Sequence, residues 1–169
     1  MSGWLSERSR NGGIDEVPLP AGDGRLWLCG KHLVGPDPEA VLARTGASLV
    51  VCLTEAFELS ARYPDYVEWL VANRGGRAMW TPLPDLHATA DDIASIVDEL
   101  RARLDNGDGA VVHCGAGIGR AGTIAAAVLV SMGAPIEDAL ATVLASRPTA
   151  GPQSREQELA LAAYAVRVK

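Results

Sequence analysis

The stretch Ala110-Val111-Val112-His113-Cys114-Gly115-Ala116-Gly117-Ile118-Gly119-Arg120-Ala121-Gly122-Thr123 decides how this chain folds. It opens on a short apolar run, bounded upstream by Gly107-Asp108-Gly109, that reads as a buried strand. A loop of small residues follows, and from Arg120 to Met132 the pattern is that of a long apolar helix. Glycines in such a loop let successive N–H groups turn inward and let an anion approach closely. The helix start adds the positive end of its dipole. Cys114 stands at the base of this cradle, and Arg120 brings a planar fork suited to two phosphate oxygens. Nucleophile and anion site share one loop.

Outward from this segment, the runs Leu26–Cys29, Leu49–Leu53 and Ala78–Trp80 also read as short buried strands. Helices are predicted over Asp37–Arg44, Tyr66–Asn73, Thr89–Asn106, Pro135–Ser146 and Ser154–Val168. The clearest begins with Thr89 and Asp92, a capping box in which Asp replaces the usual Glu or Gln. Ile93, Ile96, Val97, Leu100 and Leu104 then line one stripe, and Gly107 is placed as the stop. Strands alternating with helices predict an α/β fold: one domain, a mostly parallel sheet of four or five strands, and helices on its flanks. The site is expected at the C-terminal edge of the strands. We expect the domain over residues 21–169 and a polar extension over 1–20.

At 169 residues with 48% apolar side chains, the chain can bury a core of its own. Its net charge of −6 and the lack of any Lys/Arg block argue against nucleic acid or an anionic membrane as a partner. Three cysteines without regular spacing make no disulfide framework and suit a reducing compartment. The first twenty residues hold no apolar run of signal-peptide length, and the apolar stretch at 125–134 is too short to span a bilayer. A soluble, cytoplasmic protein is expected.

Other readings of the glycine-rich loop fail on particular residues. Gly117-x-Gly119-x-x-Gly122 matches the dinucleotide fingerprint in form. That fingerprint needs a following strand with an acidic residue some 20 positions on, whereas Glu137 lies in a predicted helix. A nucleotide-binding phosphate loop would need Lys and Ser/Thr where Arg120-Ala121 stand. A merely buried cysteine would not need an arginine six positions on at a helix start.

His113-Cys114 to Arg120 resembles the His-Cys-x5-Arg signature of the protein tyrosine and dual-specificity phosphatase superfamily. The longer form, His-Cys-x-x-Gly-x-Gly-Arg-[Ser/Thr]-Gly-Thr, matches at every specified position except Ala121. Thr81-Pro82-Leu83-Pro84-Asp85 resembles the family's general-acid loop. Arg147-Pro148-Thr149-Ala150-Gly151-Pro152-Gln153, with Gln157, is similar to the segment that places the hydrolytic water. The resemblance covers roughly residues 24–165 and follows the family's order.

This resemblance implies a two-step hydrolysis through a phosphocysteine, without metal or cofactor. Cys114 would be the nucleophile, Arg120 the phosphate clamp and Asp85 the general acid and then base. Residues Gly115, Ala116, Gly117, Ile118 and Gly119 would cradle the phosphate with Arg120. His113 would hold the loop, and Gln153 or Gln157 would orient water. Phosphate, sulfate and vanadate are the expected site ligands. Gly115, Ala116, Gly117 and Ile118 include no lysine, so a phosphorylated protein, phosphotyrosine foremost, is expected rather than a phosphoinositide. Dual specificity and other phosphomonoesters stay open. Some family members protect the nucleophile through a disulfide with a nearby cysteine; Cys29 and Cys52 are either such partners or simply core residues. Ala121 removes a hydroxyl that the family aims at the sulfur, which leaves a phosphate-binding module of weak turnover as the alternative. Thr123 or Ser154 could stand in for it.

Overall fold

The computed structural model describes residues 6–169, so the first five residues of the expected extension lie outside the described residues. In chain order the elements are α1 (Glu7–Asn11), β1 (Ile14–Val17), β2 (Arg25–Gly30), α2 (Lys31–Val34), α3 (Pro38–Thr45), β3 (Leu49–Cys52) and a 3-10 turn (Ala56–Glu58). Then come α4 (Pro64–Asn73), β4 (Ala78–Trp80), α5 (Ala90–Asp105), β5 (Gly109–Cys114), α6 (Gly119–Ser131), α7 (Ile136–Ser146) and α8 (Arg155–Arg167).

The strands form one sheet in the order β1-β2-β5-β3-β4. β5 lies in its centre, parallel to β2 and β3, with β4 parallel to β3 and only β1 antiparallel. A parallel strand covered on both faces has no reason to alternate apolar with polar, which is why Ala110-Val111-Val112 runs unbroken. The pleat still sorts its side chains. Ala110, Val112 and Cys114 join the larger core with Leu100, Ile124 and Val128, while Val111 joins Val50, Tyr66 and Leu70 on the other face.

α6 is buried from Arg120 through Val130, with α5, α7 and α8 packed around it. A helix apolar on every side is one with no solvent face. α5 by contrast buries only its stripe of Ile93, Ile96, Val97, Leu100 and Leu104. Its start is the capping box anticipated from sequence: Asp92 N–H donates to Thr89 Oγ1 at 3.0 Å, and Thr89 N–H donates to Asp92 Oδ2 at 3.1 Å. α4 begins two residues ahead of expectation, at Pro64, because proline is well suited to the first helical turn.

Four short elements carry no periodic signal: α1, β1, α2 and the 3-10 turn. β1, in the segment expected as an extension, pairs along its whole length with β2 and forms one edge of the sheet. No helix of the described residues is long and apolar enough to cross a membrane.

Thr89→Ala removes the Oγ1 acceptor of the α5 box, leaving the bond from the residue-89 N–H to Asp92, and should lower stability by about 1 kcal/mol in urea unfolding. An unchanged midpoint would show that the Thr89 hydroxyl contributes nothing.

Candidate active site

Between β5 and α6 every carbonyl of residues 114–118 is bound on the outside of the loop. The Cys114 carbonyl accepts from His113 Nδ1 at 3.2 Å and that of Gly115 from the Lys31 N–H at 3.0 Å. Arg147 donates Nη2 to the Ala116 carbonyl at 2.8 Å and Nε to that of Gly117 at 2.9 Å. The Ile118 carbonyl takes the N–H groups of Gly122 and Gly151, each at 3.0 Å. A peptide group with its carbonyl turned out has its N–H turned in, and the N–H groups of residues 115–120 find no acceptor among the described residues. The next one, from Ala121, donates to Cys114 Sγ at 3.4 Å. Gly117 makes the curl possible: its φ is +76°, and a Cβ there would sit 2.3 Å from the Cys29 carbonyl oxygen.

Arg120 is 3% exposed. Its Nη1 and Nη2 grip both oxygens of Glu58 at 2.8 and 2.7 Å, and Nη1 also reaches the Leu83 carbonyl at 2.9 Å. Its Nε is buried with no partner among the described residues. An unpaired dry donor on a cation is costly, and a phosphate oxygen would relieve it. Burial pushes the Glu58 carboxyl up, but the hydrogen bonds from Arg120 and the Glu55 N–H and the nearby charges of Arg120 and Lys31 together hold it below the usual carboxylate range. The fork is thus fixed before any ligand arrives.

Asp85 is largely exposed, its Oδ1 3.6 Å from Arg120 Nη2, at the rim of the cleft that holds Cys114. It sits in a turn closed by the His87 N–H to the Pro84 carbonyl, with Leu86 at a φ of 65°. Ser154 Oγ donates to the Leu86 carbonyl at 2.5 Å, and Thr123 Oγ1 to the Gly119 carbonyl at 2.7 Å. Both hydroxyls are committed elsewhere, so neither replaces the one missing at Ala121. Gln153 lines the cleft, its amide nitrogen donating to the Thr149 and Gly151 carbonyls. Gln157 lies fully buried behind it, accepting from the Gln153 N–H at 2.7 Å and leaving Nε2 without a partner among the described residues.

His113 is fully buried, and burial lowers its pKa to about 4. Because a carbonyl only accepts, Nδ1 carries the proton toward Cys114, and Nε2 accepts from the Tyr66 hydroxyl at 2.6 Å. Burial also raises Tyr66 well above its ordinary value, so the Tyr66–His113 chain stays neutral and serves to hold the loop. Cys29 and Cys52 both stand level with His113 in the sheet register and share its face. Cys114 points to the opposite face, so neither cysteine is aimed for a disulfide with it. Burial pushes their thiols up to about 12 and about 11. Both are core residues.

The cleft, about 920 Å³, brings together Cys114, Gly115, Ala116, Ile118, Gly119, Arg120, Asp85 and Gln153. Gly117, His113 and Gln157 support it from behind. Three residues absent from the sequence-derived roles complete the site. Glu58 holds Arg120, Arg147 holds the loop, and Asp15 on β1 holds Arg147 through Nη1 at 2.8 Å. Burial raises the Asp15 carboxyl, yet hydrogen bonds from Arg8 and Arg147 keep it below the ordinary range.

Over residues 31–163 the sequence matches PTP-SAK, the Swiss Army Knife protein DSP-PTPase phosphatase domain. The chain belongs to the PTP-SAK family. It is a cysteine-based phosphatase of the dual-specificity-like superfamily. Comparison with curated proteins gives no match. Among solved structures, the active form of Tk-PTP is 25% identical, with 87% of this chain and 94% of that one covered and a TM-score of 0.66. Kinase associated phosphatase is 20% identical over 92% and 95% of the two chains, with a TM-score of 0.74. Human DUSP28 is 20% identical over 90% and 94%, with a TM-score of 0.68. The last two show the shared fold. The PTP-SAK match begins at Lys31, so α1, β1 and β2 precede it.

His113 generates a pH prediction. Folded, it stays neutral down to about pH 4, whereas unfolded it protonates near pH 6.5. The unfolded chain therefore binds the extra proton between these values, and stability falls as pH drops through that window. We expect a loss of about 2 kcal/mol between about pH 7 and about pH 5, at about 1.4 kcal/mol per pH unit. His113→Asn should flatten this part of the profile in denaturant titrations. An equal slope in the variant would assign the loss to other groups.

Proposed function

We propose that the protein hydrolyses phosphomonoesters through a covalent phosphoryl group on Cys114. The observation that carries this reading is the set of inward N–H groups at 115–120 around one buried cysteine, with the unpartnered Arg120 Nε beside them. In the first step the Cys114 thiolate attacks phosphorus, the bond to the ester oxygen breaks, and Asp85 delivers its proton to that oxygen. In the second, water gives a proton to the Asp85 carboxylate and attacks phosphorus. The phosphorus–sulfur bond breaks, releasing inorganic phosphate and the thiolate. Gln153, at the cleft wall and braced by Gln157, is the residue we assign to orienting that water. The loop amides and Arg120 stabilise the equatorial oxygens in both transition states. A phosphorylated protein is the proposed substrate, with phosphotyrosine foremost. Cys114 is 3% exposed on the floor of the cleft, and the long phosphotyrosine side chain reaches a floor more readily than phosphoserine does. A working thiol of this kind suits the reducing cytoplasm.

Two substitutions test the assignment with chromogenic esters and no added metal. Cys114→Ser should abolish turnover yet keep phosphate or sulfate binding, because the loop amides and Arg120 hold the oxyanion. Asp85→Asn should lower kcat by about 10²–10⁴-fold with little change in KM, and the loss should shrink for nitrophenyl relative to alkyl esters. Near-normal activity in Cys114→Ser would overturn the reading; equal losses for both esters would reduce Asp85 to a turn residue.

Ala121 favours one qualification, a slow second step. The sulfur has the Ala121 N–H at 3.4 Å, while the Thr123 and Ser154 hydroxyls are engaged elsewhere. A hydroxyl donor to a leaving thiolate is worth about 1.5–3 kcal/mol, or about ten- to more than a hundredfold in rate. Product should therefore appear as a burst, and Ala121→Ser should speed turnover and remove the burst. A wild type without a burst, and a variant no faster, would show the hydroxyl to be dispensable.

A further inference from the structure

The cleft has a wall that the phosphatase chemistry does not use. It is built from the end of α1 and the start of α2, elements that lie before or at the very edge of the PTP-SAK match. In a protein of net charge −6, five of the fifteen Lys and Arg residues line this one cleft, against two of the twenty-one Asp and Glu residues. Three of the five cations are committed. Arg120 is paired with Glu58, and Arg8 and Arg147 share Asp15. Arg10 and Lys31 remain, and neither has a carboxylate partner among the described residues. Lys31 Nζ reaches only the Glu58 carbonyl, at 3.2 Å.

The wall is also fixed in place. α1 has only five residues, yet Glu7 is bound to Arg44 on α3 at 2.5 Å and Arg8 to Asp15 at 2.7 Å. Asp15 in turn binds Arg147, which holds the phosphate loop itself. A cation presented from a pinned element loses less freedom on binding a ligand than one on a loose arm. Among the described residues no Phe, Tyr or Trp lines the cleft, so its described wall offers charge and not a stacking surface.

We infer that Arg10 and Lys31 form a second anion subsite beside the catalytic cradle, and that the preferred substrate carries another phosphate or carboxylate next to the phosphate that is removed. This rests on the proposed phosphatase function. Arg10 supplies a fork that matches either oxyanion, and Lys31 a compact charge beside the Glu58 carbonyl. On a phosphoprotein the second anion is an acidic or phosphorylated residue flanking the target; on a small molecule it is a second phosphate on the same ring.

The test measures binding to the Cys114→Ser protein, so its outcome does not depend on turnover. Two matched pairs of probes are titrated calorimetrically: a phosphotyrosine peptide flanked by Glu or by Ala, and an inositol bisphosphate or monophosphate. At least one pair should show about tenfold tighter binding of the more anionic member, equivalent to about 1.4 kcal/mol. That ratio should fall with added salt, and to about twofold or less when Arg10→Ala and Lys31→Ala are combined. Discrimination in the peptide pair alone assigns the second anion to protein; discrimination in the inositol pair alone assigns it to a small polyphosphate. Equal affinities within both pairs, or a ratio that survives the double substitution, would overturn the subsite. Failure of wild-type turnover alongside an intact ratio would instead count against the proposed hydrolysis and leave the subsite standing.

Discussion

The orientation of five consecutive peptide groups governs this site. With the carbonyls of residues 114–118 bound on the outside, the amides that follow have no direction left but inward. Two of those carbonyls depend on Arg147, which is itself held by Asp15. The anion cradle is therefore maintained by a chain of contacts reaching from β1, across the loop, to the end of α7. The surrounding fold thus over-determines the loop, holding it in one conformation from several elements at once.

Electrostatics follow the same logic of groups fixed in advance. The Arg120 guanidinium is oriented by Glu58 and the Leu83 carbonyl, leaving Nε without a partner among the described residues. A buried ion pair is weak as a source of stability, because desolvation consumes most of its attraction. Its value here is position: donors already aimed at developing charge need no reorganisation during reaction. His113 makes the complementary contribution. A neutral imidazole between Tyr66 and the Cys114 carbonyl secures the strand end without placing a second cation against Arg120.

What could be read from sequence divides along physical lines. β5, α5 and α6 were legible because burial on both faces, on one stripe and all round each leaves its own periodicity. The strand–loop–helix turn from Cys114 to Arg120 was legible because it is local: its residues are adjacent in the chain. Glu58, Asp15 and Arg147 act through contacts 62, 132 and 30 residues away in sequence, which no spacing rule reveals. β1 was missed for a related reason. Two of its four residues are charged, and it is an edge strand whose pairing is made by backbone and not by an apolar run. The lack of lysine in residues 115–118 was likewise an incomplete guide to charge, since the fold brings Arg10 and Lys31 to the cleft from elsewhere.

The proposed function turns on one chemical event, transfer of a phosphoryl group to Cys114. Rapid quenching during turnover, followed by peptide mapping with mass spectrometry, observes that event directly. One phosphoryl group per chain is expected, located on the peptide that contains Cys114 and absent when Asp15→Ala has released Arg147 and the loop. Steady turnover with no phosphorylated Cys114 at any quench time, or a phosphoryl group found on another residue, would contradict it.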